Sequence, residues 1–195
     1  MGINVSLIFA NEPTRNTTAM NTKQVTIRTE KPGDYKAITL VNDLAFGQKN
    51  EGILVEKLRK KPGFIPGLSL VAELEERIMG HILFFPIQIV NRGNTFPSLA
   101  LAPMCVLPEY QKQGTGTRLA KEGFAAAKSL GFNSVIVLGH ENYYPRLGFE
   151  QARKWNIRAP FDIPTQYFFA MELVPGALNG VSGTVQYPDE FADVE

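Results

Sequence analysis

The succession of sequence patterns predicts an α/β (α+β) fold: a mixed central sheet of about six or seven strands flanked by helices. Three observations lead there. A first strand-like run is followed by two stretches with apolar residues at helical spacing, Ile38, Val41, Leu44 and Ala45, then Ile53, Leu54 and Leu58. Two apolar runs rich in β-formers, Leu68 to Leu74 and Ile78 to Val90, flank the polar break Glu75-Glu76-Arg77, the pattern of an antiparallel hairpin. Leu99 to Leu138 then reads strand, glycine turn, amphipathic helix, strand. That βαβ order makes its two strands a parallel pair.

Taken in order, Val25 to Arg28 alternates apolar and polar residues and forms the first strand. Lys31-Pro32-Gly33-Asp34 breaks it and starts the first helix, which Phe46-Gly47 closes with a glycine stop. The second helix ends at Lys60-Lys61-Pro62-Gly63. Both helices read first as cover for the core. After the hairpin, Asn91-Arg92-Gly93-Asn94 is a second turn, and Leu99 to Val106 returns as the fourth strand. Pro103 lies inside that strand and cannot donate a ladder hydrogen bond, so the strand carries an edge or a bulge there. Thr115 to Leu130 is the long helix, with Leu119, Phe124, Ala127 and Leu130 as its buried stripe and Gly131 as its cap. Ser134 to Leu138 is a short continuous apolar strand, the type buried on both faces. Ala152 to Trp155 and Tyr167 to Leu173 read as closing strands around the loop Pro160 to Pro164, and Gly183 to Tyr187 as a further strand. The chain thus divides into a flexible lead-in over 1–23, one domain over 24–174 and a C-terminal extension over 175–195.

A chain of 195 residues, 44% apolar and 20% charged, suits one domain with a sizeable core. The net charge of +1 gives no reason to expect nucleic acid or an anionic membrane as partner. Cys105 is the single cysteine, so no intrachain disulfide forms. With only His81 and His140, no Cys/His cluster offers a metal site. Val5 to Ala10 is too short for a secretory h-region and lacks a basic lead. No run approaches the roughly 18 apolar residues of a membrane span. A cytoplasmic protein is the expectation.

The chemistry concentrates in Gln111-Lys112-Gln113-Gly114-Thr115-Gly116-Thr117, between the fourth strand and the long helix. Glycines allow close approach to the backbone and unusual dihedrals. A helix's first turn presents N–H groups without internal acceptors at the positive end of its dipole. Together these make a site for an anion, best a pyrophosphate. Thr115 and Thr117 add hydroxyls; Lys112 and Arg118 add positive charge. Neither the Rossmann nor the P-loop glycine spacing is present.

This Q-x-x-G-x-G turn, with its lead-in Val106-Leu107-Pro108-Glu109-Tyr110, resembles the acetyl-coenzyme-A signature of the GNAT acyltransferase superfamily. A second stretch, Tyr143-Tyr144-Pro145-Arg146-Leu147-Gly148-Phe149, resembles that family's aromatic-Tyr-x-[KR]-x-Gly-Phe element beyond the fifth strand. The resemblance covers Val25 to Leu173 and implies a cleft between splayed fourth and fifth strands. It also implies transfer of an acetyl group from acetyl-CoA to an amine, with no metal. The backbone of Met104, Cys105 and Val106 would meet the pantetheine arm and the thioester oxygen. The cradle of Gln111, Lys112, Gln113, Gly114, Thr115, Gly116 and Thr117 would hold the pyrophosphate. Tyr144 would protonate the leaving thiolate, a phenol being neutral near pH 7.

Each role has a competitor. The glycines could form only a tight turn, Tyr144 could be a packed aromatic with Tyr143 as the fallback acid, and Cys105 could be a nucleophile or, as isolated cysteines usually are, a small buried hydrophobe. For the general base His140 is the candidate, with Glu141 and Glu73 behind it and a water chain as the option without one. His81, inside an apolar strand, reads as a satisfied core residue. Phe46 to Glu51 would flank the acceptor pocket. The acceptor, a small molecule or a protein, is left open, as is the oligomeric state, a homodimer included. A non-catalytic acyl-CoA-binding module and an oligomer-forming accessory protein are the alternative functions.

Overall fold

A computed structural model describes residues 24–192; the expected lead-in over 1–23 lies outside the described residues, as do 193–195. Strand β1 (Thr26–Thr29) leads through a short turn, in which the Asp34 carboxylate accepts the Lys31 N–H at 2.7 Å, into helix α1 (Tyr35–Phe46). Helix α1 buries Ile38, Val41, Asn42 and Ala45, one face at helical spacing, and ends where Gly47 takes φ 70°. Helix α2 (Asn50–Arg59) buries Glu51, Leu54, Val55 and Leu58. A carboxylate thus stands on an otherwise apolar stripe.

Strands β2 (Ser69–Leu74), β3 (Arg77–Asn91) and β4 (Asn94–Val106) form the meander. Both connecting turns place two residues at positive φ, Glu75 and Glu76 at 51° and 63°, Arg92 and Gly93 at 48° and 86°. Two such residues make the tight turn whose twist matches that of the flanking strands. Helix α3 (Thr115–Ser129) then leads to β5 (Ser134–Leu138). Beyond it come the two-residue strands β6 (Glu150–Gln151) and β7 (Ile157–Arg158), then β8 (Phe168–Glu172) and β9 (Gly183–Gln186).

Among the described residues nine strands join one sheet in the order β1-β2-β3-β4-β5-β8-β6, with β9 pairing both β3 and β7. β3 is its spine. One edge takes β4; the other takes β2 at one end and β9, at Gln88 to Val90, at the other. Residues 183–186 of the C-terminal extension are therefore part of the central sheet. Neighbouring residues of β3 face opposite ways. Gly80 faces α3, where an added Cβ would lie 3.0 Å from Leu119 Cδ1, and His81 faces Asn42 of α1. The two helices cover the two faces of the sheet. Among the described residues no helix is long and apolar enough to cross a membrane.

Two expectations differ from the structure. Ala152 to Trp155 is a turn of 3-10 helix, closed by the bond from Asn156 N to Arg153 O at 3.0 Å and by Asn156 at φ 56°, with the strands on either side of it. Leu130 is 49% exposed, because α3 ends at Ser129 and the helical stripe ends with it.

Beneath α1 runs a buried polar chain that accounts for His81. Arg59 holds Glu30 at 2.8 and 3.0 Å, and the Ser69 hydroxyl donates to Glu30 Oε2 at 2.6 Å. His81 Nε2 lies 2.9 Å from Ser69 Oγ, Asn42 Nδ2 lies 3.3 Å from His81 Nδ1, and the Cys105 thiol donates to Asn42 Oδ1 at 3.3 Å. These bonds close with a neutral imidazole that donates from Nε2 and accepts at Nδ1, as expected for a fully buried ring. Burial, with Arg59 adding to it and Glu30 opposing, lowers the His81 pKa from 6.5 to about 4. The unfolded chain therefore binds the proton first on acidification. The stability this histidine contributes is complete above pH 6.5 and is lost as pH falls toward 4, by about 3 kcal/mol. Urea unfolding of wild type and His81→Asn across that range should show the steeper acid loss in wild type. Equal slopes would mean that His81 is already charged in the native state.

Candidate active site

The site begins where β4 breaks. β3 and β4 pair Ile82 with Met104 and Phe84 with Leu101, so Ala102 and Pro103 oppose Leu83 alone. Two residues against one is a β-bulge, and Pro103, without an N–H, is suited to it. On the other edge β4 pairs with β5 only at Leu99 to Val135 and Ala100 to Ile136. Past that point β4 continues to Val106 and β5 to Leu138 without pairing. A cleft open to solvent occupies the gap. Its floor is the diverging strand ends, Leu101 to Met104 and Ile136 to Leu138.

At the end of β4 the chain turns back on itself. Gln111 Nε2 donates to Val106 O at 2.9 Å, and Gln113 Nε2 to Glu109 O at 3.3 Å, so the two glutamines brace the loop. Lys112 at φ 60° and Gly114 at φ 85° reverse its direction into α3. The first helical bond runs from Arg118 N to Gly114 O at 3.0 Å, which leaves the amides of Thr115, Gly116 and Thr117 without helical acceptors. No atom stands within 4 Å of where a Cβ of Gly114 would be, whereas a Cβ on Gly116 would come 2.9 Å from Tyr143 Oη. The expected cradle residues thus form one loop, with Thr115 buried beneath it and Lys112 and Arg118 exposed on its rim. The loop can bind an anion at its open amides.

Beyond β5 the chain enters a 3-10 turn, Tyr144–Leu147, that Gly148 ends at φ 96°. Tyr144 lines the cleft and is 8% exposed. Its ring packs edge-on to Tyr143 and Phe149, at 5.3 and 5.5 Å, and lies over Gly139, where a Cβ would be 1.9 Å from Tyr144 Cε2. Burial, with Tyr143 adding to it, pushes the Tyr144 phenol above its ordinary value, so it is a neutral donor. Tyr143 instead directs its hydroxyl to Gly116 in the first turn of α3.

The other expected residues are more scattered. Met104 lines the cleft, but Cys105 points the opposite way into the polar chain under α1, where burial pushes its thiol up. A nucleophilic cysteine needs access and a lowered pKa; Cys105 has neither and is a buried small side chain. His140 is exposed beyond β5 and does not line the cleft; its Nδ1 accepts the Asn142 N–H at 3.2 Å. Glu141 is exposed as well, and Glu73 is held by Arg28 at 2.7 Å.

Of the stretch Phe46 to Glu51, expected to flank the acceptor pocket, both ends line the cleft, and the sequence reading assigns Glu51 no chemical role. Glu51 on α2 lines the cleft beside Phe46 and Leu54, and is 4% exposed. Its Oε1 accepts Gln48 Nε2 at 3.0 Å, while the buried Oε2 has no partner among the described residues. Burial raises the carboxyl pKa above its usual range, the Gln48 bond opposes this, and Asp43 on α1 adds to the rise. The signal was present in the sequence: Glu51 falls on the same helical stripe as Leu54, Val55 and Leu58. Tyr187 and Phe191 of the far wall were not foreseen. Phe161, Tyr187 and Phe191 close the cleft, with Tyr187 5.0 Å from Phe191 and 6.3 Å from Phe161, and Lys61 after α2 reaches Glu190 at 2.7 Å.

Comparison with known proteins agrees with this geometry. A family model described as an acetyltransferase (GNAT) domain matches residues 26–152. The uncharacterized N-acetyltransferase YjhQ of Escherichia coli K12 is 36% identical over 149 residues, 76% of this chain and 82% of that protein. The uncharacterized N-acetyltransferase YhbS of the same strain is 32% identical over 166 residues, 85% and 97% of the two chains. The crystal structure of Escherichia coli YhbS in complex with CoA has a TM-score of 0.82 at 29% identity, covering 90% of this chain and 96% of its own. A GNAT family acetyltransferase from Brucella melitensis in complex with acetyl-CoA has a TM-score of 0.71 at 30% identity, over 87% and 99%.

Proposed function

The chain belongs to the GNAT acetyltransferase family and is an acyltransferase; from that premise we propose that it transfers the acetyl group of acetyl-CoA to a primary amine by direct attack in a ternary complex. The observation that carries this reading is a pair of features at the two ends of one strand break: the amides of Thr115 to Thr117 without helical acceptors just after β4, and the cleft between β4 and β5 that Tyr144 lines. The pyrophosphate sits on the Gln111–Thr117 loop, against oriented N–H groups and the helix dipole. The pantetheine arm lies in the gap, where the edge of Met104 to Val106 that has no β5 partner meets its amides and polarises the thioester carbonyl. Tyr144 donates to the departing sulfur. His140, outside the cleft, is not placed to take the amine's proton directly. The related structures with CoA and acetyl-CoA support the choice of donor.

Acetyl-CoA at a hundredfold over its dissociation constant should stabilise the fold by about 2.7 kcal/mol, a clear rise in Tm, and NAD by much less. Release of CoA thiol from acetyl-CoA in a panel of amines then tests catalysis. A larger thermal shift with NAD would overturn the cofactor assignment. Acetyl-CoA binding without thiol release from any amine would instead favour a non-catalytic acyl-CoA-binding module.

A further inference from the structure

Resting on the acetyl-transfer reading, we propose that Glu51 receives the acceptor amine as its proton acceptor, and that the acceptor is a primary monoamine carried on an apolar or aromatic body. The first support is the unpartnered oxygen. A desolvated carboxylate oxygen without a hydrogen bond is costly to fold around, yet Glu51 Oε2 stands in that state at the wall of the cleft. An ammonium or amine nitrogen supplies the donor it lacks. The second support is the composition of the walls. Phe46, Leu54, Phe161 and Phe191 line the same cleft as Glu51, and among the described residues no other carboxylate or cationic side chain lines it. One carboxylate matches one positive charge. A second or third ammonium on the acceptor would enter an apolar wall without a counter-ion, at a large desolvation cost.

The proton balance closes with these two side chains. The acceptor arrives as an alkylammonium beside the Glu51 carboxylate and gives it one proton. The nitrogen lone pair then attacks the thioester carbonyl; a C–N bond forms and the C–S bond breaks. Tyr144 gives its hydroxyl proton to the sulfur. Nitrogen loses a second proton as the amide forms, which restores the Tyr144 hydroxyl, and the proton on Glu51 passes to solvent. The products are the amide, CoA thiol and one proton.

The test uses the full chain, acetyl-CoA, and three amines: phenethylamine, hexylamine and spermidine. Wild type should release CoA from the two monoamines with a kcat/KM at least tenfold above that for spermidine. Glu51→Gln keeps the shape and the Gln48 contact but removes the base, and should lower kcat for the monoamines by about 10²–10⁴-fold. Its Tm shift with acetyl-CoA should equal that of wild type. Its own Tm should be equal or higher, since a buried charge is gone, so loss of folding does not mimic the result. Preference for spermidine, no turnover of either monoamine, or full activity in Glu51→Gln each overturns the proposal. Failure of acetyl-CoA itself to bind wild type would instead overturn the acetyl-transfer reading on which it rests.

Discussion

Tyr144→Phe lowers kcat by about 10²–10⁴-fold, the usual value of a positioned general acid, and lowers kcat/KM with it. The expectation follows from what the substitution leaves alone. Phenylalanine retains the ring that packs on Tyr143, Phe149 and Gly139, so the short turn after β5 keeps its shape. Only the hydroxyl is lost, and the sulfur needs its proton only as the thioester collapses. An interaction present only in the transition state moves kcat and kcat/KM together and leaves ground-state binding of acetyl-CoA nearly unchanged. Tyr143→Phe is the control: its hydroxyl stands over Gly116, away from the cleft, and its loss should be mild. Rates of CoA release at saturating acetyl-CoA for both variants decide the matter. A crippled Tyr143→Phe with an active Tyr144→Phe would exchange the two roles. Two active variants would mean that solvent protonates the thiolate.

Gly114→Asp abolishes useful cofactor affinity without unfolding the protein. The space above Gly114 is open, so the side chain projects toward the proposed pyrophosphate rather than into protein. Two like charges about 4 Å apart at an effective dielectric of about 20 repel by about 4 kcal/mol, roughly 10³-fold in Kd. Aspartate tolerates the left-handed φ of 85° better than most residues, so far-UV circular dichroism should stay near wild type. Gly116→Asp should also lose binding, with a second cause: its Cβ runs against Tyr143 Oη, which must move. Titration calorimetry with acetyl-CoA separates the outcomes. Survival of binding in both variants would place the phosphates elsewhere.

What could be read from the sequence was what short-range chemistry determines. Gly114, Gly116 and the flanking glutamines announce their loop, because positive φ and open amides are properties of a few adjacent residues. Pro103 likewise announces the bulge, since a missing N–H is a local fact, and the bulge lies at that position. The role of Glu51 escaped for the opposite reason. Its helix reads as core cover, and the cleft it lines takes shape only where the distant Tyr187 and Phe191 come to rest. Nothing within β9 names β3 as its partner. The run Ala152 to Trp155 has a strand-like composition, but the left-handed Asn156 and a local bond from Asn156 N to Arg153 O decide in favour of a turn. His81 could be recognised as a core residue, while the chain of partners that keeps it neutral spans β2, β3, β4 and α1 and exists only in three dimensions.

In mechanical terms the sheet is two plates. One consists of β1 to β4 with β9 and β7 attached, the other of β5, β8 and β6, and along the seam they are joined at one end only, by the pairs Leu99–Val135 and Ala100–Ile136 and by Ser98 Oγ bonded to Ser134. Glu51 rides on the first plate, because α2 packs on α1 and α1 is seated on β3 and β4, and Tyr144 rides on the second, packed against Phe169 of β8. The spacing between the proposed proton acceptor and donor is therefore set by how wide the seam stands. A molecule that bonds to both lips of the gap acts as a rivet and as a gauge block at once. It stiffens the joint and fixes the separation across which the amine and the sulfur exchange their protons.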